Sequence, residues 1–249
     1  MYPSISASQW GSPTASKKAL LIHGLTSCSS AWESVAQLLV AEGFFVVAPN
    51  LLGHAWRRGT DFRMSALAED LRPYFINDMS YDVVIGRSLG GTVALSLLQF
   101  LPKTKEVTVI LLDPPLEMEG TIEMDKIWFL NAVTNVKTTE ELVNDLGWSR
   151  RDCVLHALGV SMCDRTTIEG VFSHNRPWSF SGLFKNIPPH VKITVLVSDP
   201  KAGAVCHLEH IPCDVERLNV RYLPGIGHCI SYECPEAIMD VIQLQRAKL

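Results

Sequence analysis

The chain has 249 residues, 47% hydrophobic and 19% charged, which is enough apolar material for a sizeable core and excludes a disordered composition. Its formal net charge of −4 comes from 22 basic and 26 acidic residues. Arg57-Arg58 and Arg150-Arg151 are too few to track phosphates, so nucleic acid is excluded as a partner.

The seven cysteines, Cys28, Cys153, Cys163, Cys206, Cys213, Cys229 and Cys234, are scattered without a CxxC pair. That pattern offers no zinc site and points to a reducing compartment. The Ser- and Ala-rich N-terminus lacks the apolar core of a secretory signal. No apolar run approaches the roughly 18 residues that span a bilayer. The expectation is a soluble, cytoplasmic protein with a small-molecule substrate, no membrane partner and an oligomeric state left open.

In chain order, the first strong strand is Ala19–Ile22, an apolar run ending in His23-Gly24. A helix from about Ser30 to Glu42 follows, capped at Gly43, and then a strand from Phe44 to Ala48. After a loop containing Gly53-His54, Met64 to Phe75 has helical period. Tyr81 to Gly86 is a strand that stops at a glycine, and from Ser88 a helix runs to about Leu101, where Pro102 ends it. Val107 to Leu112 is another buried strand, closed by Asp113-Pro114-Pro115. This alternation predicts an α/β fold with a mostly parallel central sheet and helices on both faces.

The pattern then changes. Residues 117–185 hold helix-like stretches (Ile122–Asn131, Thr138–Leu146, Arg150–Leu158) and no convincing strand, so an inserted helical cap is expected between core segments 1–116 and 186–249. Strand signal returns at Val191–Val197 and at Asn219–Leu223, which leads to Gly225-Ile226-Gly227-His228, and a helix from about Pro235 to Gln245 finishes the chain.

The chemistry centres on Gly86-Arg87-Ser88-Leu89-Gly90, which fits G-x-S-x-G where a strand turns sharply into a helix. A serine on so tight a turn needs neighbours with almost no side chain. The turn lifts its Oγ clear of the sheet at the positive end of a helix. His228, late in the chain and in a glycine-rich loop, is the candidate general base. The other histidines lack that context.

Together, His23-Gly24, Gly53-His54, Gly86-x-Ser88-x-Gly90, the cap-sized insertion and Gly227-His228 resemble the α/β-hydrolase superfamily over nearly the whole chain. The resemblance implies the α/β-hydrolase fold, a serine nucleophile needing no cofactor or metal, and an oxyanion hole from the N–H groups of Leu25 and Leu89. It leaves the triad acid open. The superfamily usually carries it after the strand preceding the histidine strand, where Asp199 stands slightly early. An alternative position, similar to that of haloalkane dehalogenases and zearalenone-type lactonases, follows the strand after the nucleophile helix, where Asp113 stands; Asp214 is a weaker candidate. The separation from Ser88 leads us to expect the Asp113 carboxylate against His228 Nδ1.

Three departures from the family are visible. Only Met1–Lys18 precede the first strong strand, so the leading hairpin is expected to be mostly missing. The loop after the second strand reads Gly-His-Ala-Trp-Arg-Arg-Gly, and Arg87 stands where many members have histidine. Arg87 is expected either to pair with a carboxylate or to lie on the surface, and Cys229 to be a small buried filler. Trp178 and Gly24 are the candidate substrate-facing residues, with Trp128 and Trp148 either lining the pocket or packing the cap.

The resemblance implies a carboxylic-ester or lactone hydrolase for a small apolar or aromatic substrate. Carbon–carbon bond hydrolysis, a cofactor-free lyase, or a slow receptor-like hydrolase that mainly binds its ligand remain alternatives. Epoxide hydrolysis and dehalogenation are disfavoured because they use an aspartate at the nucleophile position.

Overall fold

The computed structural model describes residues 6–75 and 80–246. Seven strands form one sheet in the order β1-β3-β2-β4-β5-β6-β7. They are β1 (Ala7–Trp10), β2 (Lys17–Ile22), β3 (Phe44–Pro49), β4 (Val83–Arg87), β5 (Val107–Leu112), β6 (Val191–Val197) and β7 (Leu218–Tyr222). Only β1 is antiparallel, pairing with β3; every other neighbouring pair is parallel.

The strand sequences explain their central place. Val107, Val109 and Leu111 of β5 join the larger apolar cluster, while Ile110 and Leu112 face the opposite one. This is the period-2 alternation of a strand buried on both faces. On one face pack α2 (Met64–Asp70), α3 (Leu89–Leu97) and part of the helical segment between β5 and β6, including Val171 and Phe172. On the other pack α1 (Glu33–Ala41), the short α8 (Ile230–Glu233) and α9 (Pro235–Arg246). Truncating a fully buried side chain such as Ile110 to alanine costs about 2–5 kcal/mol.

Two sequence expectations need correction. The leading hairpin is not wholly lost, because β1 occupies the sheet edge beside β3. Its four residues, Ala-Ser-Gln-Trp, are partly exposed and carry no buried run to announce a strand. Residues 117–185 also hold four α-helices rather than three: α4 (Ile122–Thr134), α5 (Thr139–Leu146), α6 (Arg150–Ser161) and α7 (Arg165–His174).

The unforeseen helix, α7, contains adjacent threonines and Gly170, all poor helix formers. Gly170 is required by packing, since a Cβ there would meet the Phe62 ring at 2.3 Å. Its start is nonetheless signalled: the Asp164 side chain caps the N–H of Thr167. The same device opens α5, where Thr138 and Glu141 form a capping box, and α6, where Ser149 accepts from the N–H of Asp152.

The helical segment between β5 and β6 begins and ends side by side. Glu117 and Ser179 form an antiparallel bridge, and the N–H of Phe180 donates to the Leu116 carbonyl at 2.8 Å. Gly159 of α6 lies so close to Ser27 that a Cβ would sit 2.9 Å from its Cα. The Thr167 hydroxyl donates to the Gly53 carbonyl at 2.9 Å. These contacts seat the helices over the carboxyl edge of the sheet. No helix among the described residues is long and apolar enough to cross a membrane.

Candidate active site

Ser88 follows directly on β4 and opens α3, with φ at +51°. That left-handed conformation is costly for a residue with a Cβ, and the surroundings enforce it. The Ser88 N–H donates to the Leu112 carbonyl at 2.9 Å, extending the β4–β5 ladder by one residue. The Ser88 carbonyl accepts from the N–H groups of Gly91 and Thr92. The flanking glycines are a steric requirement: a Cβ at Gly86 would meet the Gly90 carbonyl oxygen at 2.3 Å, and one at Gly90 the Ile22 carbonyl oxygen at 2.2 Å.

Asp113 stands one residue beyond β5, and its N–H donates to the Leu196 carbonyl, again one step past the strand. Its φ is +44°, and its side chain is fully buried. A buried carboxylate is costly unless its oxygens are filled with donors, and here four donors converge. Oδ1 accepts from the N–H groups of Ser198 (3.3 Å) and Cys206 (3.2 Å). Oδ2 accepts from the N–H of Val205 (2.9 Å) and from His228 Nδ1 (2.6 Å).

An ionised carboxylate only accepts, so Nδ1 of His228 carries the hydrogen and Nε2 is left with a lone pair. The histidine loop is tied down as well. The Glu233 carboxylate accepts from the Gly227 N–H at 2.7 Å, and the Ser198 hydroxyl donates to the Gly227 carbonyl at 2.7 Å.

Asp199 is not against the histidine. Its exposed carboxylate caps the following 3₁₀ turn through the Lys201 N–H and accepts from the Gly225 N–H at 2.8 Å. Those bonds hold the carboxyl below its ordinary range. Asp214 is exposed.

Ser88, His228, Leu25 and Leu89 all line one cavity of about 400 Å³. Among the described residues neither the Leu25 nor the Leu89 N–H has an acceptor. The peptide unit that carries the Leu25 N–H is fixed through its Gly24 carbonyl, which accepts from His23 Nδ1 at 2.8 Å. Residues 117–185 contribute Trp128, Phe129, Phe172 and Trp178 to the walls. Trp178 is itself buried and pinned by a 2.7 Å hydrogen bond from Nε1 to the Pro115 carbonyl.

The remaining predicted residues fall in other places. Gly24 does not line the cavity; it is buried against the elbow, where a Cβ would lie 3.2 Å from the Arg87 carbonyl oxygen and from Ser88 Cβ. His23 is buried, with Nδ1 bonded to the Gly24 carbonyl and Nε2 accepting from the Leu51 N–H, so it stabilises the turn. Burial, reinforced by neighbouring His54, holds its pKa well below 6.5.

Among the described residues Arg87 pairs with no carboxylate, and it does not lie on the surface. It is buried, with its guanidinium 5.1 Å from the Tyr232 ring centre and Nη1 donating at 3.4 Å to the Ser231 hydroxyl. The sheet interior leaves β4 no route to solvent, and the aromatic face replaces the expected anion. Cys229 is only half-buried, and Trp148 packs on Tyr232 with ring centres 4.6 Å apart.

The residues that sequence reasoning missed are the backbone donors of Ser198, Val205 and Cys206. A main-chain N–H belongs to every residue but proline, so no side-chain pattern announces them. Phe129 and Phe172 were equally silent, one apolar residue among several on each helix.

The Alpha/beta hydrolase family matches this chain over residues 19–241. The chain belongs to that family. Among curated proteins, this chain is 36% identical over 87 residues to an uncharacterized protein of Mycobacterium tuberculosis (strain ATCC 25618 / H37Rv), covering 34% of this chain and 25% of that protein. It is 33% identical over 117 residues to lipase LipV of the same organism, covering 44% of this chain and 41% of the lipase. The matched segment thus spans less than half the length of either relative. Among solved structures, the esterase EaEST from Exiguobacterium antarcticum superposes with a TM-score of 0.75 at 15% identity, covering 98% of this chain and 96% of that one. At that identity the likeness speaks for the fold.

Proposed function

We propose that this member of the family hydrolyses a carboxylic ester or lactone through Ser88, His228 and Asp113. The observation that carries the reading is the 2.6 Å bond from His228 Nδ1 to a buried, fully solvated-by-protein Asp113 carboxylate, with Ser88 on the wall of the same cavity.

In the proposed mechanism His228 Nε2 takes the proton from Ser88 Oγ, and the alkoxide attacks the substrate carbonyl carbon. The resulting oxyanion accepts from the N–H groups of Leu25 and Leu89, each such donor being worth about 2.7–4 kcal/mol in the transition state. The intermediate collapses, and the leaving oxygen departs with the proton from His228. Water then gives a proton to the same nitrogen as it attacks the acyl-enzyme carbonyl, and the second intermediate collapses with that proton passing from His228 to Ser88 Oγ, which frees the acid and restores the enzyme. Asp113 holds the imidazole in its working tautomer and stabilises the imidazolium.

The aromatic walls supplied by Phe129, Phe172 and Trp178 favour an apolar or aromatic acyl group, and Glu117 and Asp125 on the same lining disfavour an anionic one. Residues 117–185 act as a lid, a role supported by their share of the cavity wall. The seven free cysteines support a reducing, cytoplasmic setting.

The test is Ser88→Ala. A fluorophosphonate probe should label the native protein at Ser88, and short p-nitrophenyl esters should be turned over. The variant should stay folded, lose labelling and fall to background hydrolysis. Near-native turnover by Ser88→Ala would remove the reading.

A further inference from the structure

A second and larger cavity, about 610 Å³, opens beside the first. It is lined by His228 and Cys229 but not by Ser88, and it lies between the histidine loop and the cap helices α4, α5 and α6. Among the described residues the two cavities share only His228 and Trp128. Trp128, on α4 and T-stacked on Phe129 with ring centres 4.9 Å apart, borders both cavities.

The geometry of acyl transfer assigns the two chambers different halves of a substrate. The carbonyl carbon must sit at Ser88 Oγ and its oxygen at the N–H groups of Leu25 and Leu89, all on the first chamber. The leaving oxygen must face His228 Nε2, because that nitrogen delivers its proton. The group behind that oxygen is therefore directed past the imidazole, towards the chamber that His228 lines and Ser88 does not.

Resting on the hydrolase reading above, we propose that the second chamber is the leaving-group subsite, and that the substrate is an open-chain ester of a bulky, neutral, largely apolar alcohol. The walls match such a group: Ala132, Val136, Leu142, Leu146 and Val160 are apolar. The one cation on the lining, Lys137, is already paired with Asp145 at 2.6 Å. His156 lines the chamber with its ring set edge-on to Trp148, ring centres 5.4 Å apart. Burial keeps that ring neutral, with its pKa down at about 4, so it offers no charge to an anionic group. A lactone fits poorly, because its carbonyl and leaving oxygen stay tethered in one ring and leave a chamber of this size unfilled.

The experiment compares two butyrate esters of alcohols with similar leaving-group chemistry, ethyl butyrate and 4-phenylbutyl butyrate. In the native protein kcat/KM should favour the bulky ester by at least about tenfold, since several apolar carbons enter the chamber. Ala157→Phe on α6, which fills that chamber, should remove the preference by lowering kcat/KM for the bulky ester alone. Deacylation of the butyryl-enzyme, read from the steady state after a p-nitrophenyl butyrate burst, should not change, because the alcohol has already left. Ala132→Phe on α4 is the second variant should Ala157→Phe not fold. Equal losses on both esters, or no loss of preference in a folded variant, would overturn the assignment while Ser88 still reacts with fluorophosphonate. An unreactive Ser88 with neither ester cleaved would instead sink the hydrolase reading, and this inference with it.

Discussion

Replacing Asp113 by asparagine changes one atom's chemistry at a site where every contact is a donor. Both carboxylate oxygens accept two N–H groups each, from Ser198 and Cys206 on one side and from Val205 and His228 on the other. The amide NH₂ must therefore face two donors whichever way it turns. Facing Ser198 and Cys206, it leaves two buried N–H groups unmatched, at about 1–3 kcal/mol each. Facing His228, it donates to Nδ1, which moves the ring hydrogen to Nε2 and removes the base.

A total cost of roughly 2–6 kcal/mol corresponds to a fall in melting temperature of roughly 4–24 °C for a chain of this size. Wrong-tautomer occupancy should lower kcat by roughly 10⁴-fold in the protein that remains folded. The assay is kcat on a p-nitrophenyl ester well below the variant's melting temperature, beside a thermal melt of the same sample. Asp199→Asn is the control: its carboxylate is exposed and contacts the Gly225 and Lys201 N–H groups, so kcat should change little. A large loss of kcat in Asp199→Asn with a mild one in Asp113→Asn would refute the assignment of the acid.

Gly90→Ala should yield little folded protein, because its Cβ would sit 2.2 Å from the Ile22 carbonyl oxygen, whereas Gly182→Ala, with nothing within 4 Å, should melt like the native chain. Stability should also fall as pH drops from 6.5 towards 4. Burial lowers His54 and His156 from 6.5 to about 4, so over that window the unfolded chain binds protons that the folded chain refuses. Above 6.5 both rings are neutral in both states and contribute no slope; below about 4 their contribution levels off. Urea titrations at a series of pH values should show His156→Gln flattening this dependence by one proton, and an unchanged slope would contradict the account.

Most of the framework was legible in the sequence because it rests on strong local signals. Val191–Val197 is a β-branched-rich run, interrupted only by Lys192 and Thr194, and the structure places β6 on those residues. The Gly86–Gly90 turn was legible because sterics dictate it: two glycines whose Cβ atoms would strike backbone oxygens. The losses have physical causes. β1 is short, half-exposed and edge-bound, so it carries no hydrophobic pattern. In α7 the demand for Gly170 against Phe62 overrode helix propensity, leaving only the Asp164 cap as a signal. Arg87 was misjudged because an aromatic face was not weighed as the partner of a buried cation.

The acid was ambiguous for a deeper reason, since both candidates end neighbouring strands on the same edge of the sheet. What separates them is the loop after β6. Ser198, Val205 and Cys206 turn three backbone N–H groups inward onto the carboxylate at the end of β5. With those donors directed at Asp113, Asp199 in the same loop is left outside, and its carboxylate holds the Gly225 turn that leads to His228. A single loop thus cradles the candidate acid, braces the histidine turn, and contributes Gly203, Ala204 and Val205 to the cavity wall beside Ser88. Placing the acid on β5, next to the nucleophile strand β4, frees the β6 loop for that wall. Substitutions in residues 203–206 should accordingly change substrate preference and the histidine's orientation together, a coupling that an acid carried on the β6 loop itself would not produce.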